Sequence, residues 1–550
     1  MSGLERLTQA NAVERLRERD PSLFSDDVDT RIRISQRLGW TDLAHKAPER
    51  FPLLERLAET VAAEDATDIA LLGMGGSSLA PLVMDRVIGG APGLPRLHVL
   101  DTTSPVQVAA ALESLDPTRT FLILASKSGS TIEPLSLYRI FRHWLESAGM
   151  TRPEAGSRCI VITDPGSPLE RLRQQDLMRM TLSAPATVGG RYSALSVFGL
   201  APAALVGVDL AALIARAQDM ETACGTPEDN PAAHLGSWMA DAHAEGRDKL
   251  TLVCSEGLDA FGLWAEQLVA ESLGKNGTGI VPVIECDRGT LSGYGDDRAV
   301  VVLRFAHDTA LSAFAREAAQ VHPVFEAVLA DPLDLGAEFV RWEYAVALTG
   351  FLIGVNPFDE PSVTEAKQAT TAILEGGSTE VPTAHADVAG TWITFAGGLS
   401  DPTEPCRSRV DALRTAARSA DPGDYFAFLV YAPDDEVRFA PLRDACSRLA
   451  WNTGRAVCLE LGPRYLHSTG QLHKGGPNTG VFVMITARDA VDIDVPGQRF
   501  SLAALHRAQA EGDLLTLARH GRRVLRLDLP SSDADTLADL AADIVAAGLQ

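Results

Sequence analysis

Along this chain, short apolar runs alternate with longer stretches whose apolar residues recur at helical spacing. Between about residues 66 and 215 the runs are Ile69-ALLG, Arg96-LHVLD, Thr120-FLILAS and Arg158-CIVITD. Runs that are apolar nearly throughout, instead of at every second position, predict strands covered on both faces, as in a parallel sheet with helices on each side. A second series, Lys249-LTLVCSE, Gly279-IVPVIEC and Ala299-VVVLRF, predicts a second unit of the same kind. Strand-like runs resume at Tyr425-FAFLVYA, Ala456-VCLELG and Gly480-VFVMITA, and the stretch from Ala534 to Gln550 reads as an Ala/Leu helix. Residues 1–60 show helical spacing with charged faces, as in Phe51-PLLERLAETVA. Between about 372 and 405, Gly, Pro, Ser and Thr accumulate, which predicts a connection or surface excursion. The expected fold is α/β: a helical lead-in (1–60), a first doubly wound parallel-sheet subdomain (61–220), and a second (221–550) that carries a C-terminal α/β extension.

Two runs of the first series end in turns built for an anion. In Ile69-ALLGMGGSSL, Gly73, Gly75 and Gly76 let backbone N–H groups approach a ligand closely, and the helix that follows adds its partial positive charge. In Phe121-LILASKSGST, Ser126, Ser128 and Thr131 add hydroxyl donors, as Ser77 does in the first turn, and Lys127 brings the one formal positive charge. Such turns also arise from packing alone, but two of them with this donor set suit a sugar phosphate. Gly73 and Gly75, with Asp101 closing the next strand, echo a dinucleotide fingerprint, yet the third glycine position is occupied by Ser78. No G-x-x-x-x-G-K-[ST] sequence is present, which argues against a nucleoside-triphosphate loop.

Charge narrows the partners. A formal net charge of −24 over 550 residues excludes a general nucleic-acid or anionic-membrane binder, both of which need a positive face. Seven cysteines without a C-x-x-C pair fit a reducing interior, not a disulfide framework. The start, Met1-SGLERLTQA, is polar, and the longest apolar stretches, such as Tyr344-AVALTGFLIGV, fall short of the ~20 residues a bilayer span requires. A cytoplasmic protein is expected.

Four segments carry candidate chemistry. Gly189-GRYS sets Arg191 beside paired glycines, where it serves either as a solvated turn residue or as an oxyanion anchor. Gln267 and Glu271 lie four residues apart on one helix face, before the glycine-rich Ser272-LGKNGTG. Asn356-PFDEPSVTEAKQ runs from a proline turn into a helix that carries Lys367. Gly462-PRYLHSTGQLHKGGPNTG holds His467 and His473 in a glycine-rich loop. No cluster has metal-ligand spacing and no G-x-S-x-G elbow occurs, so acid/base chemistry without a metal or cofactor is expected.

Taken in order, Gly73-MGGSSL, Ser126-KSGST, Gly190-RYS, Gln267-LVAESLGKNG and Asn356-PFDEPSVTEAK resemble the glucose-6-phosphate isomerase family across roughly residues 65 to 370, and His467-STGQ resembles its histidine motif. The final third looks most like the isomerase half of transaldolase/glucose-6-phosphate isomerase fusion proteins, with no transaldolase half before it here, and whether a separate transaldolase chain is associated stays open. The resemblance implies two sugar-isomerase (SIS-type) subdomains, a homodimer, and interconversion of glucose 6-phosphate and fructose 6-phosphate in glycolysis and gluconeogenesis. It implies Glu271 as general base, Arg191 as oxyanion stabiliser, and His467 with Lys367 in ring opening. It further implies Gly76, Ser77, Ser126, Lys127, Ser128, Thr131 and Gln267 as substrate-binding residues. In the family the histidine motif precedes the lysine motif, whereas here His467 follows Lys367 by one hundred residues. That order leaves His473 as an alternative and leaves open whether the histidine enters its own site or a neighbour's. A sugar-phosphate sensor without catalysis and an isomerase that also takes mannose 6-phosphate are the rival readings.

Overall fold

The computed structural model describes residues 1–284, 291–376, 386–399 and 406–548. Strands β1 (Asp68–Leu72), β2 (Arg96–Leu100), β3 (Thr120–Ala125), β4 (Cys159–Thr163) and β5 (Met180–Ser183) form a wholly parallel sheet in the order β2-β1-β3-β4-β5. β1, β3 and β4 are buried at every position, as their unbroken apolar runs require. Because β2 and β3 flank β1 on opposite sides, the crevice beyond the carboxyl ends of β1 and β3 is the switch point where ligands bind in such sheets. Both candidate phosphate turns open there.

The second sheet, also parallel, has the order β7-β6-β8-β9 from β6 (Lys249–Cys254), β7 (Val281–Ile284), β8 (Arg298–Phe305) and β9 (Val324–Leu329). One continuous core joins the first two sheets and takes in the lead-in helices through Leu7, Leu16, Trp40, Leu54 and Val61. The lead-in is thus part of the same packed body.

The expected C-terminal extension of the second subdomain is a separate third sheet. It has six strands in the order β10-β11-β15-β14-β12-β13: β10 (Ala386–Val388), β11 (Thr391–Gly397), β12 (Tyr425–Tyr431), β13 (Val457–Leu461), β14 (Gly480–Ala487) and β15 (Arg523–Leu529). It is parallel except at β10/β11 and β11/β15. One face has a core of its own; the other packs Tyr425, Ala427 and Phe482 against Ala270, Val281 and Val283 of the second unit. Val495, Leu502 and Leu505 reach the outer face of the first sheet.

The reading of 372–405 as an excursion needs correction. Within it β10 and β11 are strands, and Ile393 and Phe395 are buried in the third core. The flanking glycines and prolines obscured a β-forming Thr-Trp-Ile-Thr-Phe segment. The rest of the excursion, 377–385 and 400–405, lies outside the described residues.

Candidate active site

The helix Asp259–Leu273 runs between all three units and is buried on nearly every side, so Gln267 and Glu271 face protein and not solvent. Gln267 Nε2 donates to the His467 carbonyl at 2.7 Å and to Glu271 Oε2 at 3.3 Å. Its Oε1 is buried and has no partner among the described residues, which leaves an acceptor for a ligand hydroxyl. Burial pushes the Glu271 carboxyl above its ordinary range. The nearby Arg191 charge pulls it back, Glu360 pushes it further up, and Lys275 and His467 pull it down.

Arg191 extends from the turn Gly190–Tyr192 into this buried region, with Nη1 at 3.4 Å from Glu271 Oε2 and 3.1 Å from Glu360 Oε2. Nε donates to Ser272 Oγ at 2.9 Å, and Nη2 donates to the Pro357 and Asp359 carbonyls at 2.7 and 3.0 Å. Of the two readings of Arg191, the solvated turn residue is thereby excluded. Lys275, equally buried, donates to the carbonyls of Asn356 and Asp359 at 2.8 and 2.5 Å; burial pushes its ammonium down to about 8, and the Arg191 charge adds to that. Two buried cations therefore fasten the loop that leads to the Lys367 helix, Val363–Leu374.

The glycine turn after β1 is pressed against the Gln267–His467 contact and against the arginine turn. Gly75 has φ +55°, and a Cβ there would meet the His467 carbonyl at 2.8 Å and Gln267 Nε2 at 2.9 Å. Gly76 touches Gly190, and its carbonyl accepts from Ser193 Oγ at 3.3 Å. Ser77 follows, buried, in the same turn.

In the second turn Ser126 Oγ accepts from the Gly129 N–H at 3.2 Å and donates to Thr131 Oγ1 at 3.1 Å, so Ser126 shapes the loop. Lys127 pairs with Asp164 and lines a cavity of about 60 Å³ together with Arg37, Arg191 and Glu360. Ser128 and Thr131 line a second cavity of about 140 Å³, which also receives Glu133, Lys367, His467 and Gln509. The helix Ile132–Ser147 starts at its wall, and Thr131 at the N-cap makes no side-chain capping bond.

His467 and His473 part company. His467 Nε2 lies 2.9 Å from Glu133 Oε1, which also accepts from Gln509 Nε2 at 2.7 Å. Burial alone would raise the Glu133 carboxyl; the His467 charge and hydrogen bond outweigh it and hold the group low. His473 is sealed inside the third unit, with Nε2 3.0 Å from both Glu460 oxygens and Nδ1 3.1 Å from the Tyr425 hydroxyl. The third unit therefore delivers His467, not His473, to the cavity, within the same chain.

Glu133, Gln509, Glu360 and Lys275 were not singled out from the sequence. Glu133 had a signal, as the second residue of the helix after a hydroxyl-rich turn; Gln509 sits mid-helix and carries none.

A buried carboxylate, a buried arginine and an imidazole stand beside two glycine- and hydroxyl-rich turns on an α/β scaffold, the layout of an acid/base site. The family model for phosphoglucose isomerase matches residues 56–295. A glucose-6-phosphate isomerase of Rubrobacter xylanophilus is 31% identical over 372 residues, covering 58% of this chain and 84% of that protein. A probable glucose-6-phosphate isomerase of Haloarcula marismortui is 30% identical and covers 58% and 80%. Among solved structures, a hypothetical protein of Thermus thermophilus superposes with a TM-score of 0.58 at 26% identity, covering 68% of this chain and 96% of that one. A glucose-6-phosphate isomerase of Chlamydia trachomatis shares the fold, with a TM-score of 0.51 at 19% identity over 68% of this chain and 84% of its own. The chain belongs to the glucose-6-phosphate isomerase family.

Proposed function

We propose that this chain interconverts glucose 6-phosphate and fructose 6-phosphate with Glu271 as the base that moves the proton. The observation that carries the reading is the buried line Arg191–Glu271–Gln267–His467, drawn from all three units and closed within one chain. The phosphate is held at the turn Ser126–Thr131 and the helix start behind it, which fixes the sugar's reacting end by binding energy from its far end. His467, held by Glu133 and beside Lys367, moves the proton that opens the ring. Glu271 takes the proton from carbon 2 of the aldose; the electron pair forms the enediolate, and the same carboxyl returns the proton to carbon 1. A carboxyl raised by burial suits this task near neutrality. Arg191 faces the negative charge that develops, and the unpartnered Gln267 Oε1 accepts a sugar hydroxyl.

A non-catalytic sensor has no use for a carboxylate kept basic by burial, and no observation favours it. No helix among the described residues is long and apolar enough to cross a membrane; a cytoplasmic location remains part of this proposal. So does a homodimer, although the named site residues meet without a second copy. The test is conversion of fructose 6-phosphate to glucose 6-phosphate through a coupled dehydrogenase, for the wild type and Glu271→Gln. Turnover in the wild type and none in the variant is expected; substantial turnover in the variant overturns the assignment.

A further inference from the structure

Arg191 has five N–H groups: four donate hydrogen bonds, and the fifth, on Nη1, is held in an ion pair with Glu271. Nε is spent on Ser272 and both Nη2 hydrogens on the carbonyls of Pro357 and Asp359. Nη1 faces Glu360 at 3.1 Å and Glu271 at 3.4 Å. A developing oxyanion can therefore gain a donor from Arg191 only by replacing one of these partners. Four of them cannot leave cheaply: Ser272 and Glu271 belong to the buried helix, and the two carbonyls belong to a main chain that Lys275 also grips. Glu360 differs. Its side chain is 42% exposed, against 5% for Arg191, and it extends from a loop whose backbone stays fastened when the carboxylate swings away.

We propose that Glu360 holds the place of the substrate's oxyanion on Arg191 Nη1 and is displaced from it as the enediolate forms. The displaced carboxylate has a destination, since the 60 Å³ cavity it lines also contains Lys127 and Arg37. While seated, it neutralises a buried cation that would otherwise face Glu271 alone, and it keeps the base from being quenched by Arg191. The groups that face Glu271 are Arg191 from the first unit, Lys275 and Glu360 from the second, and His467 from the third. Those that face Glu360 are Arg191, Lys127 and Arg37.

This inference rests on Arg191 acting on the reacting end of the sugar, and its test is read from binding. The probes are a five-carbon sugar-acid phosphate, whose carboxylate stands where the enediolate would form, and a hexitol 6-phosphate, uncharged at that end. Glu360→Gln is expected to bind the sugar-acid phosphate roughly fivefold tighter, the scale of a half-exposed ion pair, and the hexitol phosphate unchanged. Glu360→Asp keeps the charge but falls one methylene short of Nη1. It should tighten the sugar-acid phosphate as the Gln variant does; if it behaves as wild type, bulk charge and not seat displacement is at work and the proposal falls. In Glu360→Gln the acid limb of kcat/KM should also move to lower pH, because a charge that raised Glu271 is gone. Equal change for both probes, or weaker sugar-acid binding, overturns the proposal. Turnover in Glu271→Gln would overturn the base assignment without touching this result.

Discussion

Gly76→Ala tests whether the close fit between the glycine turn and the arginine turn is what makes the site. A Cβ at Gly76 would lie 2.1 Å from the Gly190 carbonyl oxygen, 2.3 Å from its carbon and 3.0 Å from the Arg191 nitrogen. Its φ lies outside the left-handed region, so the obstacle is space and not backbone conformation. Carbon contacts settle near 3.5 Å, so the two turns must part by about 1 Å, and all three obstructing atoms are backbone. Overpacking of this kind costs roughly 1–3 kcal/mol, or about 1–4 °C in Tm for a body of this size. The functional cost is larger, since a displacement of about 1 Å in an oriented site costs on the order of 100-fold. The matched control is Gly190→Ala, on the other side of the same contact, where a Cβ meets nothing within 4 Å. Thermal unfolding and coupled-assay kinetics on both variants decide it. Wild-type kcat/KM and Tm in Gly76→Ala, or an equal Tm loss in Gly190→Ala, would refute the argument.

The two histidines should separate cleanly. His467→Asn is expected to fold normally and lose roughly 100-fold or more in kcat on glucose 6-phosphate, whereas His473→Ala leaves Glu460 buried without its imidazole and should lose about 3 kcal/mol of stability in urea unfolding; reversed effects would exchange their roles. Glu133 is held below its unfolded pKa, so its contribution to stability is complete above about pH 4.5 and is lost as pH falls through the depressed value. Urea midpoints of Glu133→Gln should therefore fall less than those of the wild type between pH 5 and 3, and identical slopes would show that this carboxylate does not bind the first and third units together.

The parallel strands were legible because β1, β3, β4 and β12 are covered on both faces and so are apolar at nearly every position. β5 and β9 were not, because edge strands such as these are partly exposed and their sequences mix polar and apolar residues. Gln267 and Glu271 stood out because two polar residues at one helical interval preceded a glycine-rich break. Glu133 and Gln509 escaped, being separated by 376 residues and brought together by the third sheet docking on the first, a relation that local periodicity does not carry. The choice between His467 and His473 was likewise decided by tertiary packing: both lie in one glycine-rich loop, and the short helix Gly470–Gly475 turns one inward and leaves the other at the cavity.

In the proposed reaction a single carboxyl, Glu271, carries the proton between carbons 2 and 1. The direct measurement is deuterium wash-in at carbon 2 of glucose 6-phosphate, followed by NMR in deuterated water, for the wild type and Glu271→Gln at matched occupancy. Wash-in alongside turnover is expected in the wild type and neither in the variant, with sugar-phosphate binding retained. Wash-in that persists in Glu271→Gln would contradict it, because another group would then be removing the proton.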